Sequence, residues 1–569
     1  MSMRLFQIWL FPFLATSPVM LLLLCKGQLL DGAEIIEASV GQPWPKPQLV
    51  ETYGEGFLVI RPSLFRFEVT RHSCDILDHA SKRYYALILR SSYHYKVYSR
   101  LRNSKDASPS IAQNKTWKAN KDFDGYLNIL KIELSSPCES VPHDNMEEAY
   151  ELRIDTPDLP GEGYLASSTI WGILRGLETF SQLIHPTDDF IALQIKNALI
   201  LDYPRFSFRS VLLDTSRHYL SMKVLYQNLD LMVMNKYNVF HWHIVDDQSF
   251  PYESKRFPEI SEKGAYHEYT HVYTQKDIQD VIEYARVRGI RVIPEFDTPG
   301  HTKSWGPGVP GLLTECYNNE IEYSDETLTF GPIDVSNLAN YKFLRTFFEE
   351  VANTFPEKYL HLGGDEVDHT CWKSNPNISD FMEQMNFTSY TQLEGYHMQT
   401  LIDIVQTFPT NNSYVVWQEV FDIGVNLQND TIVHIWKGEN LAKEIYKVTA
   451  AGYRALVYSC WYLNYISYGI DWPKYYSCDP HNFNGSDAQK KLVLGGGAAM
   501  WSEYVDSTNL IPRLWPRASV PAERLWSSAN VTDHQDAEKR LEEHRCRLLQ
   551  RGYNVEPVNG PGYCLVSWD

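Results

Sequence analysis

Short apolar runs recur along the chain from about residue 205, and each ends in polar or aromatic residues. The runs are SVLLDTSRH (210–218), NVFHWHIVDD (238–247), IRVIPEFDTPGH (290–301), YLHLGGDEV (359–367), YVVWQEV (414–420), TIVHIW (431–436), YRALVYSCWYLN (453–464) and LVLGGGAAMWSEY (492–504). Runs that are apolar on both faces are typical of strands in a parallel sheet covered on both sides. Helical patterns lie between most of them, most clearly at 222–236 and 276–289, whereas the fifth connection, between Val420 and Thr431, is too short for a helix.

Eight such strands, alternating with helices over residues 205–569, predict an α/β fold of the (β/α)8 barrel type. The alternative is a doubly wound open sheet, but the glycine-rich nucleotide turn of that fold follows no early strand here. Residues at the carboxyl ends of barrel strands carry the chemistry. Those ends hold carboxylates, indoles and one arginine, a set suited to a sugar pocket: Arg217, Asp246, Asp247, Asp297, His301, Asp365, Glu366, Trp417, Glu419, Trp436, Trp461, Tyr462, Trp501 and Glu503.

Residues 31–204 have a different pattern, which predicts a smaller α+β domain. Phe65, Phe67 and Val69 alternate with polar residues, and the same alternation recurs over residues 130–134. The segment 168–184 has helical spacing and begins with Ser-Thr, either of which can cap a helix. Strands with one polar face, together with a helix, predict an antiparallel sheet covered on one side. Because this region shows no catalytic signature, we assign the chemistry to the barrel.

The amino terminus has the pattern of a secretory signal. An apolar stretch runs from Leu5 to Leu24 and small residues follow it, so we expect residues 1–30 to be a signal peptide cleaved between Cys25 and Ala33. The stretch is also long enough for an uncleaved anchor, whereas no later segment is apolar enough to span a bilayer. Seven N-x-Ser/Thr sequons indicate the secretory pathway and predict surface glycosylation at Asn114, Asn377, Asn386, Asn411, Asn429, Asn484 and Asn530.

Charge and cysteine content narrow the partners and the compartment. The 569-residue chain has a formal charge of −19 and no long basic run, which excludes nucleic acid as a partner. Removal of the signal takes away one of nine cysteines and leaves an even set, whose spacing fits structural disulfides better than zinc or redox sites. Sequence neighbours form the simplest pairs: Cys74 with Cys138, Cys316 with Cys371, and Cys546 with Cys564. Cys460 and Cys478 form either a fourth pair or two buried free thiols.

The most specific segment is HLGGDEV, residues 361–367, at the end of the fourth predicted strand. Its glycines allow a close backbone turn before Asp365 and Glu366. A solvated acidic turn would explain a lone Asp-Glu pair, but aromatic residues end the neighbouring strands. Ordinary glycosidases place two carboxyl groups about 5 to 9 Å apart across the scissile bond, whereas adjacent strand residues point to opposite faces. We therefore expect one acid to protonate the leaving oxygen and the other to hold a substrate group, such as a 2-acetamido carbonyl, that attacks the anomeric carbon.

With these residues the sequence resembles glycoside hydrolase family 20, and above all its animal β-hexosaminidase type. The matching motifs are long and extend from about residue 40 to the C-terminus; they include LLDTSRHYL (212–220), FDTPGHTKSWGPG (296–308), LHLGGDEVDHTCWKSNP (360–376), VVWQEV (415–420), WYLN (461–464) and NLIPRLWPRASVPAERLW (509–526). The resemblance implies a retaining, substrate-assisted exo-β-N-acetylhexosaminidase. Such an enzyme releases terminal GlcNAc or GalNAc through an oxazolinium intermediate.

The resemblance also implies a role for each matched residue. Glu366 would be the general acid and then the base, Asp365 would bind the acetamido N–H and stabilise the oxazolinium, and Tyr462 would orient the acetamido oxygen. The other matched residues would bind or support the sugar: Trp417, Trp436 and Trp501 as pocket walls, Arg217 and Glu503 as hydroxyl anchors, Asn464 as a further contact, and Asp246 and His301 as supports of the acid. No cofactor and no metal are implied.

The two acids are expected to titrate apart. Burial against the indoles, beside Asp365, would raise the pKa of Glu366 toward the working pH, whereas an ionised Asp365 would favour the oxazolinium cation.

His241 and His243 lie on one face of a strand, and with Asp246 they could suggest a metal site. Two histidines in a barrel wall are the better interpretation, because no third ligand has metal-site spacing.

Tyr465 departs from the family pattern. In mammalian α-type members, an arginine associated with negatively charged substrates stands at this position, after the asparagine that matches Asn464. Because this chain lacks that arginine, the resemblance implies an enzyme for neutral substrates, in which Tyr465 stacks on a second sugar.

Two alternatives to an exo-hydrolase have sequence signatures of their own. A catalytically weak, lectin-like protein on the same fold would lack Asp365, Glu366 or Tyr462, and all three are present. An endo-acting chitinase would carry a D-x-x-D-x-D-x-E strand pattern, which is absent. The resemblance further implies a homodimer formed through the barrel domain, and the signal indicates a lysosomal or extracellular protein that has a carbohydrate substrate and no membrane span after cleavage.

Overall fold

A closed barrel of eight parallel strands forms the larger part of the protein. The structure is a computed structural model that describes residues 35–102, 118, 120–188, 192–317 and 330–564. The barrel strands, in chain and spatial order, are Phe208–Asp214, Val239–His243, Arg291–Glu295, Tyr359–His361, Ser413–Trp417, Ile432–Ile435, Arg454–Val457 and Val493–Met500. The eighth strand pairs with the first and closes the barrel. Each predicted run overlaps one strand, so the (β/α)8 prediction is confirmed and the doubly wound alternative is wrong.

Helices connect the barrel strands and form the C-terminal tail. They are Met222–Met234, Glu259–Gly264, Gln275–Arg286, Leu338–Thr354, Thr370–Ser374, Pro376–Gln384, Tyr390–Val405, Gln418–Asp422, Leu441–Ala450, Trp472–Tyr476, Asp487–Leu492, Leu510–Leu514, Ser519–Trp526 and His534–Arg551. The predicted helices at 222–236 and 276–289 are confirmed, and the second begins with a capping box between Thr274 and Asp277. The expectation of no helix in the fifth connection is wrong, because a five-residue helix forms directly after the fifth strand.

The smaller domain precedes the barrel and contains a six-stranded sheet. Its strands, in spatial order, are Leu49–Glu51, Ala198–Asp202, Tyr150–Thr156, Leu159–Ser167, Ile129–Leu134 and Arg66–Arg71. The first four strands pair antiparallel, as predicted, and the last two add parallel pairings at one edge. The helix Ile170–Leu183 packs on this sheet, and the helix Asp75–Arg102 packs on that helix. A second sheet contains Phe123–Leu127, Phe57–Ile60, Leu193–Lys196 and His185–Pro186.

Charged side chains buried at the amino-terminal end of the barrel join the two domains. Glu148 of the smaller domain accepts hydrogen bonds from Arg175 (2.8 Å) and from Arg209 of the first barrel strand (2.7 Å). Arg175 also donates to the backbone oxygen of Gly289, just before the third barrel strand. Burial costs charged groups free energy unless they are paired, and here the pairing crosses the domain boundary. The barrel is therefore attached to the smaller domain at the end opposite the predicted site.

Four disulfides are formed: Cys74–Cys138, Cys316–Cys371, Cys460–Cys478 and Cys546–Cys564. The sequon residues in the described segments are all exposed: Asn377, Asn386, Asn411, Asn429, Asn484 and Asn530. Asn114 and the predicted signal peptide, residues 1–30, lie outside the described residues. In the described part of the chain, no helix combines the length and the apolar character needed to cross a bilayer.

Candidate active site

Two glycines shape the backbone where the fourth strand ends. Gly363 and Gly364 have φ values of 69° and 98°, in the left-handed region that glycine adopts without strain. A Cβ atom on Gly363 would lie 1.7 Å from Oδ1 of Asp297, and one on Gly364 would lie 2.3 Å from a methyl group of Val420. The chain can therefore pass between the third and fifth strand ends only with glycine at both positions, which explains the paired glycines of the motif.

The two acids that follow the glycines lie in different environments. Asp365 is buried, with 8% of its surface exposed, whereas the Glu366 side chain is 58% exposed. Glu366 has a φ of 48°, so the backbone is not extended at this position. The expectation that indoles bury Glu366 is therefore wrong. Nε2 of His301 lies 3.9 Å from Oδ2 of Asp365 and 4.0 Å from Oε2 of Glu366, and so faces both acids.

A buried charge network supports His301. Nδ1 of His301 lies 3.1 Å from Oδ1 of Asp246, and the Arg217 guanidinium lies 2.8 Å from Oδ2 of the same carboxylate. Burial lowers the pKa of His301, but the hydrogen bond to Asp246 and the charge of Asp365 outweigh burial and raise it to about 9. Asp246 is only 1% exposed, and it contacts His301 and Arg217, which agrees with the supporting position that the resemblance implies.

Aromatic side chains from the fifth to eighth strand ends form a wall beside Asp365. The ring centroid of Trp417 lies 6.4 Å from that of Trp436 and 6.2 Å from that of Trp501. Tyr462 stacks on Trp436 at 6.1 Å. Burial and the nearby charge of Asp365 hold the pKa of Tyr462 well above its usual value, although a hydrogen bond to Trp501 opposes them. Tyr462 therefore keeps its hydroxyl proton and can donate it in a hydrogen bond.

The remaining predicted residues lie around this wall. The Arg217 guanidinium lies over the Trp501 ring, 5.1 Å from its centroid, and Glu503 on the same loop is exposed. Asn464 is half-buried, and its backbone oxygen accepts a hydrogen bond from Arg513 (3.1 Å). All the predicted site residues therefore gather at one end of the barrel, with Asp246 in a supporting position.

Tyr465 extends the wall outward. Its side chain is 63% exposed, and its ring stacks on Tyr462 with centroids 6.0 Å apart. Glu419 supports the wall from the side, because one of its oxygens accepts the indole N–H of Trp436 at 3.0 Å. Burial and the charge of Asp365 raise the pKa of Glu419.

Three further acids, to which the family resemblance assigns no role, support the site from within. Asp214 pairs with Arg217 at 3.2 Å, and Glu295 accepts the indole N–H of Trp417 at 2.7 Å. Burial and the neighbouring charge of Asp365 hold the pKa of Asp297 well above its usual value, which favours the protonated form of Asp297. In the sequence, the only sign that these acids belong to the site is that each stands at the end of an apolar run.

Buried histidines meet inside the barrel below the wall. His241, His361 and His434, on three different strands, have ligand atoms within 4.8 Å of one another. Three of these nitrogens have protein partners, because Nε2 of His241 pairs with Glu295 at 2.6 Å and Nε2 of His361 pairs with Nδ1 of His434 at 3.1 Å. Burial lowers the pKa of His361 to about 3, so that ring is neutral. His241 and His243, which the sequence analysis considered as a metal pair, instead contact Glu295, and the absence of a metal stays a prediction.

Comparisons with known proteins agree with this geometry. The family model "Glycosyl hydrolase family 20, catalytic domain" matches residues 206–529, and "beta-acetyl hexosaminidase like" matches residues 43–183. Rat beta-hexosaminidase subunit alpha is 47% identical over 92% of this chain and 95% of its own length, and human beta-hexosaminidase subunit beta is 45% identical over 92% and 89%. The solved chitobiase of Flavobacterium johnsoniae has a TM-score of 0.70 and 27% identity, covering 89% of this chain and 72% of that one.

Proposed function

The chain belongs to glycosyl hydrolase family 20, and on that premise we propose that it is a retaining exo-β-N-acetylhexosaminidase for terminal GlcNAc and GalNAc. The observation that carries the proposal is the division between adjacent acids: Asp365 is buried beside the aromatic wall, and Glu366 is exposed at the pocket mouth. Two equivalent carboxylates across one bond would not need such unlike surroundings.

In the first step, the substrate's acetamido oxygen attacks the anomeric carbon while the bond to the leaving oxygen breaks. Glu366 gives its proton to that oxygen, and its exposure places it where a leaving group can depart into solvent. Asp365 accepts the acetamido N–H and stabilises the oxazolinium cation by its charge. Tyr462 keeps its proton and donates a hydrogen bond that holds the acetamido oxygen in line.

In the second step, Glu366 takes a proton from water, and the water oxygen attacks the anomeric carbon. The bond from that carbon to the acetamido oxygen breaks, which restores the amide and releases the sugar. Two inversions at one carbon give net retention. The indoles of Trp417, Trp436 and Trp501 wall the pocket on one side, where the acetyl methyl and the sugar ring would pack.

A chromogenic β-GlcNAc substrate tests the proposal, with the anomer of the first product read by proton NMR. We expect the wild type to release β-GlcNAc and Asp365→Ala to lose activity by about 100-fold or more, the loss typical for removal of a charge that stabilises the transition state. A fully active Asp365→Ala protein, or an α-product, would contradict the substrate-assisted mechanism. An inactive wild type that still binds GlcNAc would favour the lectin-like alternative.

We also propose a preference for neutral substrates, because the exposed, uncharged Tyr465 extends the wall where a second sugar would lie. The comparison is between 4-methylumbelliferyl β-GlcNAc and its 6-sulfate. We expect the neutral substrate to have the higher kcat/KM and Tyr465→Arg to narrow the gap. Equal turnover of both substrates by the wild type would contradict this preference.

A homodimer is proposed through the barrel face that carries the loop after the seventh strand. Tyr465, Ile466, Tyr468 and Ile470 on this loop are each more than half exposed, and neighbouring apolar side chains of this kind are typical of an interface. Sedimentation analysis should give twice the chain mass for the wild type and a monomer for the double variant Ile466→Ser, Tyr468→Ser. A monomeric wild type would contradict the proposal.

The secretory pathway, ending in the lysosome or outside the cell, is the proposed location. Four disulfides and six exposed sequon asparagines support it, because disulfides persist in oxidising compartments and glycans require surface positions. Treatment of the protein from a eukaryotic host with an N-glycosidase should lower its apparent mass. No change in mass would contradict passage through this pathway.

A further inference from the structure

Glu295 lies beneath the sugar pocket and is in contact with the aromatic wall. It is the last residue of the third barrel strand and is 0% exposed. One carboxylate oxygen accepts the indole N–H of Trp417 at 2.7 Å, and the other pairs with Nε2 of His241 at 2.6 Å. The orientation of one pocket wall therefore depends on a charged group that no substrate can reach.

His243 connects the same carboxylate to the acid side of the pocket. Its Nδ1 lies 3.1 Å from Oε2 of Glu295, and its Nε2 lies 2.8 Å from Oδ2 of Asp246. The contact to Asp246 is a hydrogen bond and the contact to Glu295 is an ion-pair distance, so a doubly protonated, charged imidazole suits both carboxylates. Burial lowers the pKa of His243, but Glu295 and Asp246 outweigh burial and raise it to about 10.

The other groups around His243 leave this charge pattern intact. His361, on the fourth strand, lies 3.5 Å from Glu295 and is neutral, because burial lowers its pKa to about 3. Arg217 faces Asp246 from the end of the first strand, and the Trp501 ring packs edge-on against His243 from the end of the eighth. Negative and positive groups thus alternate from Glu295 through His243 and Asp246 to His301.

We propose that Glu295 is a positioning residue for the hydrolysis: it holds the indole of Trp417 and, through His243 and Asp246, places His301 beside the two acids. The inference rests on the proposed function, since the groups it positions are those assigned to sugar binding and proton transfer. Glu295 itself touches neither the substrate nor the reacting atoms.

A purely structural role for Glu295 is the competing explanation, and the third strand offers a matched control for it. Arg291, at the other end of that strand, forms a buried two-bond ion pair with Glu357, with its Nε 2.9 Å from Oε2. Glu357→Gln breaks a buried carboxylate pair as Glu295→Gln does, but at the end of the barrel away from the pocket.

The experiment measures kcat and KM separately for wild type, Glu295→Gln, Glu295→Asp and Glu357→Gln. The substrate is 4-nitrophenyl β-GlcNAc, the range is pH 3.5–8, and a thermal melt is recorded for each protein at each pH. The melt defines the conditions under which a variant is folded, and kinetics are compared only below that limit.

For Glu295→Gln we expect kcat/KM to fall by about 100-fold, the order caused by displacing groups from productive geometry. KM should rise because Trp417 is released, and kcat should fall because His301 moves. The variant should also gain an ionisation between about pH 5 and 8 that the wild type lacks, because the pKa of His243 returns toward its ordinary value near 6.5. Glu357→Gln should lower the melting temperature and leave kcat, KM and the pH profile within about twofold of wild type.

Glu295→Asp keeps the charge but shortens the reach. We expect it to raise KM without adding the new ionisation, which separates the anchoring of Trp417 from the charge on His243. The proposal is overturned if folded Glu295→Gln retains wild-type kcat and KM, or if Glu357→Gln loses activity to the same extent. Should Glu295→Gln fail to fold, wild-type kinetics in Glu295→Asp would overturn it. An inactive wild type would instead defeat the proposed function.

Discussion

The two ends of the barrel contain buried carboxylates in opposite situations. At the amino-terminal end, both oxygens of Glu148 and of Glu357 are paired, with Arg175, Arg209 and Asn238 for the first and with Arg291 for the second. At the carboxyl end, the buried polar atoms that make no hydrogen bond to any described residue include Oδ2 of Asp297, Oδ1 of Asp365 and Nε2 of His301.

This difference separates stability from chemistry along a single set of strands. Closed ion pairs at one end attach the smaller domain to the barrel. Carboxyl oxygens left without a hydrogen bond at the other end are costly for folding, and they persist where a substrate would complete the bonding. Substitutions at the carboxyl end should therefore affect catalysis, and substitutions at the amino-terminal end should affect stability. Four measurements test this division, from the largest expected effect to the smallest.

Glu366→Gln should cause the largest loss of catalysis. We expect kcat/KM for 4-methylumbelliferyl β-GlcNAc to fall by about 1,000-fold, within the range for removal of a general acid. A 2,4-dinitrophenyl substrate, whose leaving group needs no proton, should show a much smaller loss. The control is Glu383→Gln, an exposed glutamate on the helix Pro376–Gln384, which should behave as wild type. Equal losses on both substrates would argue against Glu366 as the acid.

Tyr462→Phe should have an intermediate effect. It removes one hydroxyl and keeps the ring that stacks on Trp436, so we expect kcat to fall by roughly 10-fold, the equivalent of one hydrogen bond. Tyr458→Phe is the matched control, because Tyr458 is buried in the same region and its hydroxyl bonds to Ser210 in the barrel interior. If both variants lose kcat equally, the hydroxyl of Tyr462 has no special role in aligning the substrate.

Glu148→Gln should affect stability without affecting catalysis. Removal of this charge leaves Arg175 and Arg209 buried without their counter-ion, and breaking such a pair costs about 3–5 kcal/mol. We expect a lower melting temperature by several degrees and unchanged kcat and KM at 25 °C. Calorimetry and steady-state kinetics on one preparation provide the check. A loss of kcat with no change in melting temperature would contradict the assignment of stability to the amino-terminal end and catalysis to the carboxyl end.

The smallest predicted effect is a pH dependence of stability whose alkaline side arises at the site. At the site, the raised pKa values of His243, about 10, and His301, about 9, contribute stability that is present below about pH 6.5 and lost as the pH rises through 9–10. At the base, burial opposes but Arg209 and Arg175 lower the pKa of Glu148, so its contribution is present above its ordinary value of 4.5 and lost as the pH falls.

Melting curves from pH 3 to 10 measure this dependence. Glu295→Gln should flatten the alkaline side of the curve by weakening the imidazolium of His243, and Glu148→Gln should flatten the acid side. Parallel curves for both variants and the wild type would show that neither group carries the dependence.

Some features of this protein were determined by the sequence itself. The eight apolar runs follow local physics, because a strand covered on both faces must be apolar on both, and that pattern is readable without knowing the neighbours. The same holds for the cap at Thr169, which accepts the Gly172 N–H, and for the Asp365–Glu366 pair that follows two glycines. In the smaller domain, the alternation of apolar and polar residues predicts the strands. It does not predict that two of them pair in parallel at one edge of the sheet.

Other features were decided only by the tertiary structure. Glu366 is exposed and has a positive φ, and neither property can be read from the pattern of residues, which predicts burial against the indoles. Glu295 looked like one more polar residue at the end of an apolar run. Its partners Trp417 and His243 come from other strands, and they meet it only because the closed barrel brings the strand ends together. Electrostatic interaction depends on distance through space, so the charge network could be recognised only after folding had set those distances.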